Sequence, residues 1–339
     1  MKVGILGATG LVGQQYIQLL ADHPVYEIVF LCASKKGKSY KEAVQGKWRM
    51  KDPIPESIAK LPVQTIDELD ESCELVFSAV GSDIAKEWEE KIARRGIGVV
   101  SNASYHRLDP LVPMVIPEIN PHHLEVIPMQ QRERGFKLGG FIAVKSNCSI
   151  QSMLLPLAPL HREFELQKIV VTTLQALSGA GYPGVPSLDV IDNVIPWIDG
   201  EEEKSEIEPL KILGHLGKEG IIPHPTIAIA AHCNRVPVLD GHMACVSAQF
   251  KIKPSLEDVL ALWKKTSMVT YLEEADRPQP RLDRDRDKGM GVTVGRLREC
   301  KVMDLRFVAL SHNVIRGAAG GGVAIADLII KEGYARVSS

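Results

Sequence analysis

The sequence predicts an α/β fold that begins with a doubly wound parallel sheet. Apolar runs of strand length occupy residues 3–6, 27–32, 75–80 and 99–102, and the segment 84–97 between the last two carries helical charge pairing. Strands that alternate with helices in this way are typical of a doubly wound domain. With 339 residues, of which 45% are apolar, the chain is long enough for two domains and has enough apolar residues to form their cores.

The composition argues against nucleic-acid and membrane partners. The 40 basic and 42 acidic residues leave a formal charge of −2, and the longest charged run, 281–288, alternates in sign as a solvated loop does. No apolar stretch approaches the roughly 20 residues that cross a bilayer, and Met1 and Lys2 lead directly into a predicted strand without a basic-then-apolar leader. We therefore expect neither a nucleic-acid-binding nor a membrane-bound protein.

The cysteines indicate a reducing compartment. They are scattered, without a Cys-x-x-Cys pair, at positions 32, 73, 148, 233, 245 and 300. A zinc ribbon or a disulfide framework needs characteristically spaced cysteines, so neither is predicted and no metal site is expected. We expect the protein in the cytoplasm.

A glycine-rich turn follows the first predicted strand. Gly7, Gly10 and Gly13 lie between the apolar run 3–6 and a segment with the apolar spacing of a helix. Such a turn lets a pyrophosphate approach the backbone N–H groups at a helix N-terminus. The spacing GxxGxxG is a variation on the dinucleotide-binding pattern, and a simple tight turn is the alternative.

The end of the second predicted strand indicates which dinucleotide binds. An NAD site would place an acidic residue here for the ribose 2′-hydroxyl, whereas this chain has Ser34, Lys35 and Lys36. A hydroxyl and two cations suit a 2′-phosphate, so NADP is the predicted cofactor. A lysine-rich surface loop is the alternative.

Cys148 lies between a predicted strand and a predicted helix. The apolar run 141–144 precedes it, and the apolar segment 153–155 follows the polar turn 145–151. A thiol beside the unpaired N–H groups and positive dipole of a helix N-terminus is expected to ionise more readily. The helix should extend towards Leu160 unless Pro156 kinks or ends it earlier. From this pattern alone, a buried structural cysteine is an open alternative.

Three further polar residues occupy positions that suit a binding site. Gln175 ends an apolar run before the glycine-rich segment 178–184, which is a natural place for a substrate-orienting amide. His242 follows Gly241 and is a candidate general base, although a structural histidine is the commoner outcome. Arg107 lies in a polar loop, where an ordinary surface role is the alternative.

Taken together, these segments resemble the aspartate-β-semialdehyde dehydrogenases, in particular their archaeal and fungal branch. The family's motifs occur here in order and over nearly the whole length. They are GATGLVG at 7–13, SNCS at 146–149, LQALSGAGYPG at 174–184, NRVPVLDGH at 234–242 and NVIRGAAG at 313–320. The segments PQPRLD at 278–283 and GMGVTVGR at 289–296 resemble the archaeal and fungal branch.

The resemblance implies a role for each site residue. It makes Cys148 the acyl-forming nucleophile and His242 its acid/base partner. Implied substrate contacts are Gln175 for orientation, Arg235 for the carboxylate, Glu201 for the amino group, and Arg107, Lys204 and Asn147 for phosphate. Implied NADP contacts are Gly7, Thr9, Gly10, Leu11, Val12, Ser34, Lys35, Lys36, Ser178, Gly179 and Asn313. Several acidic residues follow one another in the expected loop 201–208, so the pairing of Glu201 with Lys204 could shift by a residue.

The resemblance also implies a reaction, a domain arrangement and an assembly. The reaction is the reversible, NADP-dependent reductive dephosphorylation of β-aspartyl phosphate to aspartate semialdehyde. Residues 1–145, joined by a final helix within 313–339, should form the Rossmann-type NADP domain, and 146–312 an α+β catalytic and dimerisation domain. A homodimer or homotetramer is expected.

Three other functions are alternatives to this reaction. A malonyl-CoA reductase on the same scaffold shares much of the pattern and is the nearest. An N-acetylglutamyl-phosphate reductase would have glycine before its cysteine and tyrosine-proline after it, which this chain lacks. A catalytically silent NADP-binding redox sensor would not need Cys148, His242, Gln175 and Arg235 together.

Overall fold

The computed structural model describes residues 1–34, 37, 39–70 and 72–335. Lys35 and Lys36, two of the expected cofactor contacts, lie outside the described residues.

The first half forms a six-stranded parallel sheet in the order β3-β2-β1-β4-β5-β6. Its strands are β1 Lys2–Leu6, β2 Glu27–Cys32, β3 Val63–Gln64, β4 Leu75–Ser78, β5 Gly98–Ser101 and β6 Phe141–Val144. Its helices are α1 Leu11–Leu20, α2 Tyr40–Ala43, α3 Glu56–Ala59, α4 Ser82–Arg94 and α5 Ile127–Arg134. The central strands are apolar along their length because helices cover both faces of a parallel sheet. The strand order reverses beside β1, and ligands of such sheets bind at the carboxyl ends of the strands at this point.

Helix α6, Ile150–Phe164, connects the two halves and continues through Pro156 and Pro159. The expectation that Pro156 ends the helix early is therefore wrong. A proline inside a helix removes a backbone hydrogen bond and costs about 3 kcal/mol. Because α6 is buried along most of its length against the second sheet, packing offsets this cost. The carbonyl of Pro156 also accepts a hydrogen bond of 2.9 Å from the indole nitrogen of Trp263.

The second half forms a mixed sheet in the order β10-β7-β11-β14-β13-β12, with a separate hairpin of β8 and β9. Its strands are β7 Leu166–Gln175, β8 His215–Gly217, β9 Gly220–Ile222, β10 Ala228–Arg235, β11 His242–Phe250, β12 Val269–Leu272, β13 Val292–Glu299 and β14 Leu305–Ser311. Its helices are α7 Ser187–Val190, α8 Glu201–Ile212, α9 Leu256–Lys265 and α10 Pro280–Asp283. Helices α6 and α9 pack on one face of this sheet. The predicted fold class, a doubly wound half followed by an α+β half, is confirmed.

The segment 201–208 is helical, as part of α8, whereas the sequence predicted a loop. The helix begins after Gly200, whose φ is +63°. Three glutamates, at 201, 202 and 203, occupy the first turn, where the positive end of the helix dipole stabilises negative charge. The run of acids that suggested a loop is therefore a favourable way to begin a helix.

After β14 the chain returns to the first sheet. A π-helical turn, Ile315–Ala319, leads into α11, Gly320–Lys331. Val323, Ile325 and Ile329 are buried in the same core as Tyr16 and Ile17 of α1. Within the described part of the chain, the helices are all too short or too polar to span a membrane.

Candidate functional site

Cys148 lies between β6 and α6, at the wall of a cavity of about 310 Å³ between the two halves. Nine of the residues implied by the resemblance line this cavity: Val12, Arg107, Asn147, Cys148, Ser178, Gly179, Glu201, Lys204 and Asn313. They come from distant parts of the sequence, and the fold brings them together because the carboxyl ends of β1, β4, β5 and β6 face the N-terminal turn of α8.

Close backbone packing holds Cys148 in place. The π-helical turn passes so near that a Cβ atom added to Gly317 would lie 2.7 Å from the Cβ of Cys148. Only a glycine fits there. The turn is a local widening of the helix, a feature that is frequent at functional sites.

Burial and the charged groups around Cys148 have opposing effects on the pKa of its thiol. Burial raises the pKa of the Cys148 thiol, and the carboxylate of Glu201 raises it further, whereas Lys145, Arg107 and Arg235 lower it. The net direction is upward. Burial is the largest effect, and α6 begins only at Ile150, two residues after the thiol.

His242 begins β11 and is buried behind the loop that carries Gly179. Its Nδ1 accepts a hydrogen bond of 3.1 Å from the backbone N–H of Ala176. Burial lowers the pKa of His242 to about 3, with nearby Arg235 acting in the same direction. The ring is therefore neutral, and because Nδ1 accepts a hydrogen, its own proton is on Nε2.

Gly179 separates His242 and Arg235 from the cavity by only its backbone. A Cβ atom at this position would lie 2.8 Å from Nη1 of Arg235 and 3.0 Å from Nε2 of His242. Both side chains thus lie directly behind the cavity wall. The Arg235 guanidinium donates a hydrogen bond of 2.7 Å to the carbonyl of Ala176, which orients it.

Glu201 links several polar groups of the cavity. Its carboxylate accepts hydrogen bonds from Asn147 Nδ2, at 2.9 Å to each oxygen, and from Gln175 Nε2 at 3.3 Å. Lys204 Nζ lies 3.1 Å from the same carboxylate. Glu201 and Lys204 therefore form an ion pair on the first turn of α8.

Arg107 is buried rather than exposed on a surface loop. One guanidinium nitrogen donates to the carboxylate of Glu208 at 2.8 Å and another to the carbonyl of Asn102 at 2.9 Å. The Arg107 side chain is thus held at the wall of the cavity that contains Cys148.

Sequence reasoning missed three buried ionisable residues near this cavity. Lys145 lines it and donates a hydrogen bond to the carbonyl of Ser146, while Glu208 and Lys211 project from α8. A lysine at the end of an apolar strand was the available signal for the first. For the other two, the signal was the spacing 201, 204, 208 and 211, which places four charged residues on one helix face.

The glycine-rich turn has the backbone geometry of a dinucleotide site. Gly7 has a φ of +77°, and a Cβ atom on Gly13 would lie 2.2 Å from the carbonyl of Gly7, so both positions require glycine. The N-terminus of α1 after Gly10 has no side-chain cap, which leaves its N–H groups available to an anion. These features fit a pyrophosphate group.

The remaining expected cofactor residues surround this turn. Leu11 lines a second cavity of about 830 Å³, which shares Ser178 with the cavity of Cys148. Asn313 donates to Ser178 Oγ and accepts from the backbone N–H of Gly241, both at 2.8 Å. Thr9 lies within the turn, and Ser34 is exposed just beyond the end of β2.

Comparison with known proteins places this site in a family. Residues 2–127 match the family model of the semialdehyde dehydrogenase NAD binding domain, and residues 157–316 match that of the semialdehyde dehydrogenase dimerisation domain. The aspartate-semialdehyde dehydrogenase of Archaeoglobus fulgidus is 44% identical, with 98% of each chain covered. That of Candida albicans is 42% identical, with 97% of each chain covered.

Solved structures agree with the sequence comparison. A crystal structure of aspartate semialdehyde dehydrogenase with NADP from Candida albicans matches with a TM-score of 0.89 and 40% identity, over 97% of this chain and 98% of that one. Aspartate semialdehyde dehydrogenase II of Vibrio cholerae, complexed with ASA, matches with a TM-score of 0.80 and 28% identity over 98% of each chain. With both family models matched in order and relatives aligned over almost its full length, this chain belongs to the aspartate-semialdehyde dehydrogenase family.

Proposed function

We propose that this protein is an NADP-dependent aspartate-semialdehyde dehydrogenase. It converts β-aspartyl phosphate reversibly to aspartate semialdehyde and phosphate through a thioester on Cys148, a step in the biosynthesis of lysine, threonine and methionine. The observation that carries the proposal is the shared cavity, in which Cys148 lies with Arg107, Lys204 and Glu201 in a chain of this family. The glycine turn at the N-terminus of α1, with Ser34, Ser178 and Asn313, would hold the cofactor.

In the reducing direction, acylation comes first. The thiolate sulfur of Cys148 adds to the acyl carbon, and the bond from that carbon to the phosphate oxygen breaks. Phosphate leaves with the electron pair, and a thioester remains. Arg107 and Lys204 supply positive charge for the leaving phosphate, assisted by the Asn147 amide. The negative charge of an acyl phosphate next to Glu201 is balanced by these same cations.

Reduction of the thioester follows. When bound, NADPH supplies the hydride, and NADP accepts it in the reverse direction. Addition of the hydride to the acyl carbon makes the carbonyl oxygen an oxyanion, which then re-forms the carbonyl while the carbon–sulfur bond breaks and the thiolate leaves. The neutral ring of His242 suits a hydrogen-bond donor to this oxygen, because its proton is on Nε2, the nitrogen next to Gly179. His242 would then act as a hydrogen-bond donor, which is a more specific role than the acid/base function that the resemblance implied.

The substrate's other groups have counterparts in the same site. Arg235 would hold the carboxylate, since a planar guanidinium forms two parallel hydrogen bonds with it. Glu201 would accept hydrogen bonds from the amino group, and Gln175, which already contacts Glu201, would orient the chain between them.

Replacing the nucleophile tests the proposal. The Cys148→Ala and Cys148→Ser variants are expected to lose phosphate-dependent reduction of NADP by aspartate semialdehyde, while they still bind NADP in a fluorescence titration. Near-normal turnover in either variant would refute the thioester mechanism. Parallel assays with malonyl-CoA, with NAD, and with arsenate in place of phosphate define the acyl substrate, the cofactor and the phosphate site of the wild-type enzyme.

The assembly and the domain limits complete the proposal. We infer a homodimer or homotetramer formed through the second half, which is supported by the match to a dimerisation domain over residues 157–316. We place the cofactor domain at 1–145 with the helix from 313 onward, the catalytic domain at 146–312, and the protein in the cytoplasm. Light scattering of the purified protein measures the assembly, and a monomer at micromolar concentration would contradict it.

A further inference from the structure

One face of α8 carries a row of charged residues at helical spacing. Residues Glu201, Lys204, Glu208 and Lys211 are separated by three, four and three positions, which places them on the same side of the helix. The last two are only 2% exposed. On an amphipathic helix the buried row is normally apolar. This row therefore has a role other than packing.

Glu208 contacts two of the three residues that are expected at the phosphate position, Arg107 and Asn147. One carboxylate oxygen accepts from the Arg107 guanidinium at 2.8 Å, and the other accepts from the backbone N–H of Asn147 at 2.6 Å. Asn147 precedes Cys148 directly. A single carboxylate from the second half thus fixes a cation of the first half and the residue before the expected nucleophile.

Lys211, one turn further along α8, holds the loop that carries Arg107. Its Nζ donates to the carbonyls of Arg107 and Val112 at 2.7 Å and to that of Asp109 at 2.6 Å. Three such bonds require three N–H groups, which only the ammonium form has. Burial lowers the pKa of Lys211 to about 7, with Asp109 and Glu208 opposing this effect.

Buried charges of this kind contribute little to the free energy of unfolding. An apolar replacement of similar volume is often as stable as a buried ion pair, because desolvation offsets most of the attraction. The same groups nonetheless define positions, because a carboxylate with two fixed donors and an ammonium with three fixed acceptors allow few other arrangements.

We propose that Glu208 and Lys211 are positioning residues for the phosphate site, which they assemble by holding Arg107 and the backbone before Cys148 against the helix that carries Lys204. This inference rests on the proposed function, in which phosphate binds between Arg107 and Lys204. The later part of α8, in the second half of the molecule, would thus hold the phosphate-binding groups of the first half in place.

The Glu208→Gln variant tests the inference. The amide has the size of the carboxylate, but its NH2 group must face either Arg107 or the N–H of Asn147, both of which are donors. Glu206→Gln is the matched control, because Glu206 is on the same helix and its carboxylate also accepts a backbone N–H, that of Ala231 at 3.0 Å, outside the cavity.

We expect the KM for phosphate to rise about tenfold or more in Glu208→Gln, in keeping with the loss of a charge-assisted hydrogen bond. The KM for NADP should stay within about twofold of the control, and the melting temperatures of the two variants should be similar. Equal phosphate KM values in Glu208→Gln and Glu206→Gln would overturn the inference. Lys211→Met should also raise the KM for phosphate. Lys211→Arg, which keeps the positive charge, should raise it less.

A second readout does not depend on turnover. Phosphate should protect Cys148 of the wild-type protein from iodoacetamide, and the protecting concentration should be about tenfold higher in Glu208→Gln. If the wild-type protein lacks dehydrogenase activity but phosphate protects it in this way, the proposed reaction fails while the positioning role stands. If the same phosphate concentration protects Glu208→Gln and Glu206→Gln, the positioning role fails, whichever reaction the protein catalyses.

Discussion

At the scale of single residues, the reactivity of Cys148 depends on a cation, Lys145, that is not among the predicted site residues. Lys145 is 2% exposed and lines the same cavity as Cys148. Burial lowers the pKa of Lys145 to about 8, so it is largely protonated at neutral pH. Because His242 is neutral, Lys145 rather than an imidazolium is the cation that favours the Cys148 thiolate, together with Arg107 and Arg235.

The Lys145→Met variant should therefore need a higher pH for ionisation of Cys148. The rate of alkylation by iodoacetamide, measured from pH 6 to pH 10, reports the thiolate fraction directly. Lys145→Arg keeps a positive charge and serves as the control, with a midpoint nearer that of the wild type. An unchanged midpoint in Lys145→Met would show that this lysine does not act on the thiol.

Gly317 permits the close approach of the π-helical turn to Cys148. The Gly317→Ala variant should displace the cysteine, because neither the new Cβ nor the Cβ of Cys148, 2.7 Å away, belongs to a flexible side-chain end. We expect turnover to fall by about 100-fold or more, since a 1 Å displacement of reacting groups has that effect. The NADP dissociation constant should change little. Full activity in this variant would mean that the turn moves aside without consequence.

At the scale of elements, the sequence predicted what short-range patterns specify. Apolar runs between helical segments gave the parallel sheet, and the glycines at 7, 10 and 13 gave the first turn, because both depend on local backbone preferences. Helix α6 continues past Pro156, where the sequence predicts a possible end, because the packing that offsets a proline comes from distant strands. Helix α8 differs from the predicted loop because Glu208 finds its partners at 107 and 147, which are 101 and 61 positions away.

The contact between α9 and α6 provides a test of how distant packing supports a proline-containing helix. The Trp263→Phe variant keeps an aromatic ring but removes the indole N–H that binds the Pro156 carbonyl, which leaves a buried acceptor without this partner. The free energy of unfolding should fall by about 1–3 kcal/mol, measured by urea denaturation. Trp88→Phe, at a half-buried position where the ring lies against Lys91, should change it by less than about 0.5 kcal/mol. Equal losses of stability in Trp263→Phe and Trp88→Phe would mean that the hydrogen bond to Pro156 does not stabilise the protein.

At the scale of the whole molecule, polar contacts join the two halves. Arg107 pairs with Glu208, His123 Nε2 lies 3.2 Å from the carbonyl of Gly214, and Arg49 stacks 4.1 Å from the ring centre of Tyr182. The domain boundaries at 145 and 312 remain predictions. The order of the motifs along the sequence does not show which residues of the two halves meet. Residues that meet here are often more than a hundred positions apart.

Buried neutral histidines should make stability depend on pH. Burial lowers the pKa of His123 to about 4 and that of His242 to about 3, against about 6.5 in an unfolded chain. Between pH 6.5 and pH 4 the unfolded chain therefore binds protons that the native protein does not. Stability is fully present above pH 6.5 and is lost on acidification, by up to about 1.4 kcal/mol per pH unit for each histidine.

Urea denaturation at a series of pH values measures this dependence. The His123→Asn and His242→Asn variants should each have a shallower loss of stability between pH 6.5 and pH 4.5 than the wild type. His232→Asn, at an exposed position of β10, is the control and should keep the wild-type slope. Parallel slopes in all four proteins would mean that these two rings do not carry the effect.

The return of α11 to the first core has a consequence for synthesis on the ribosome. Val323, Ile325 and Ile329 complete the apolar layer around Tyr16 and Ile17, yet they are translated after every strand of the second sheet. The half that emerges first thus exposes part of its interior until α11 has been translated. Its last contacts form only after the intervening half has left the exit tunnel.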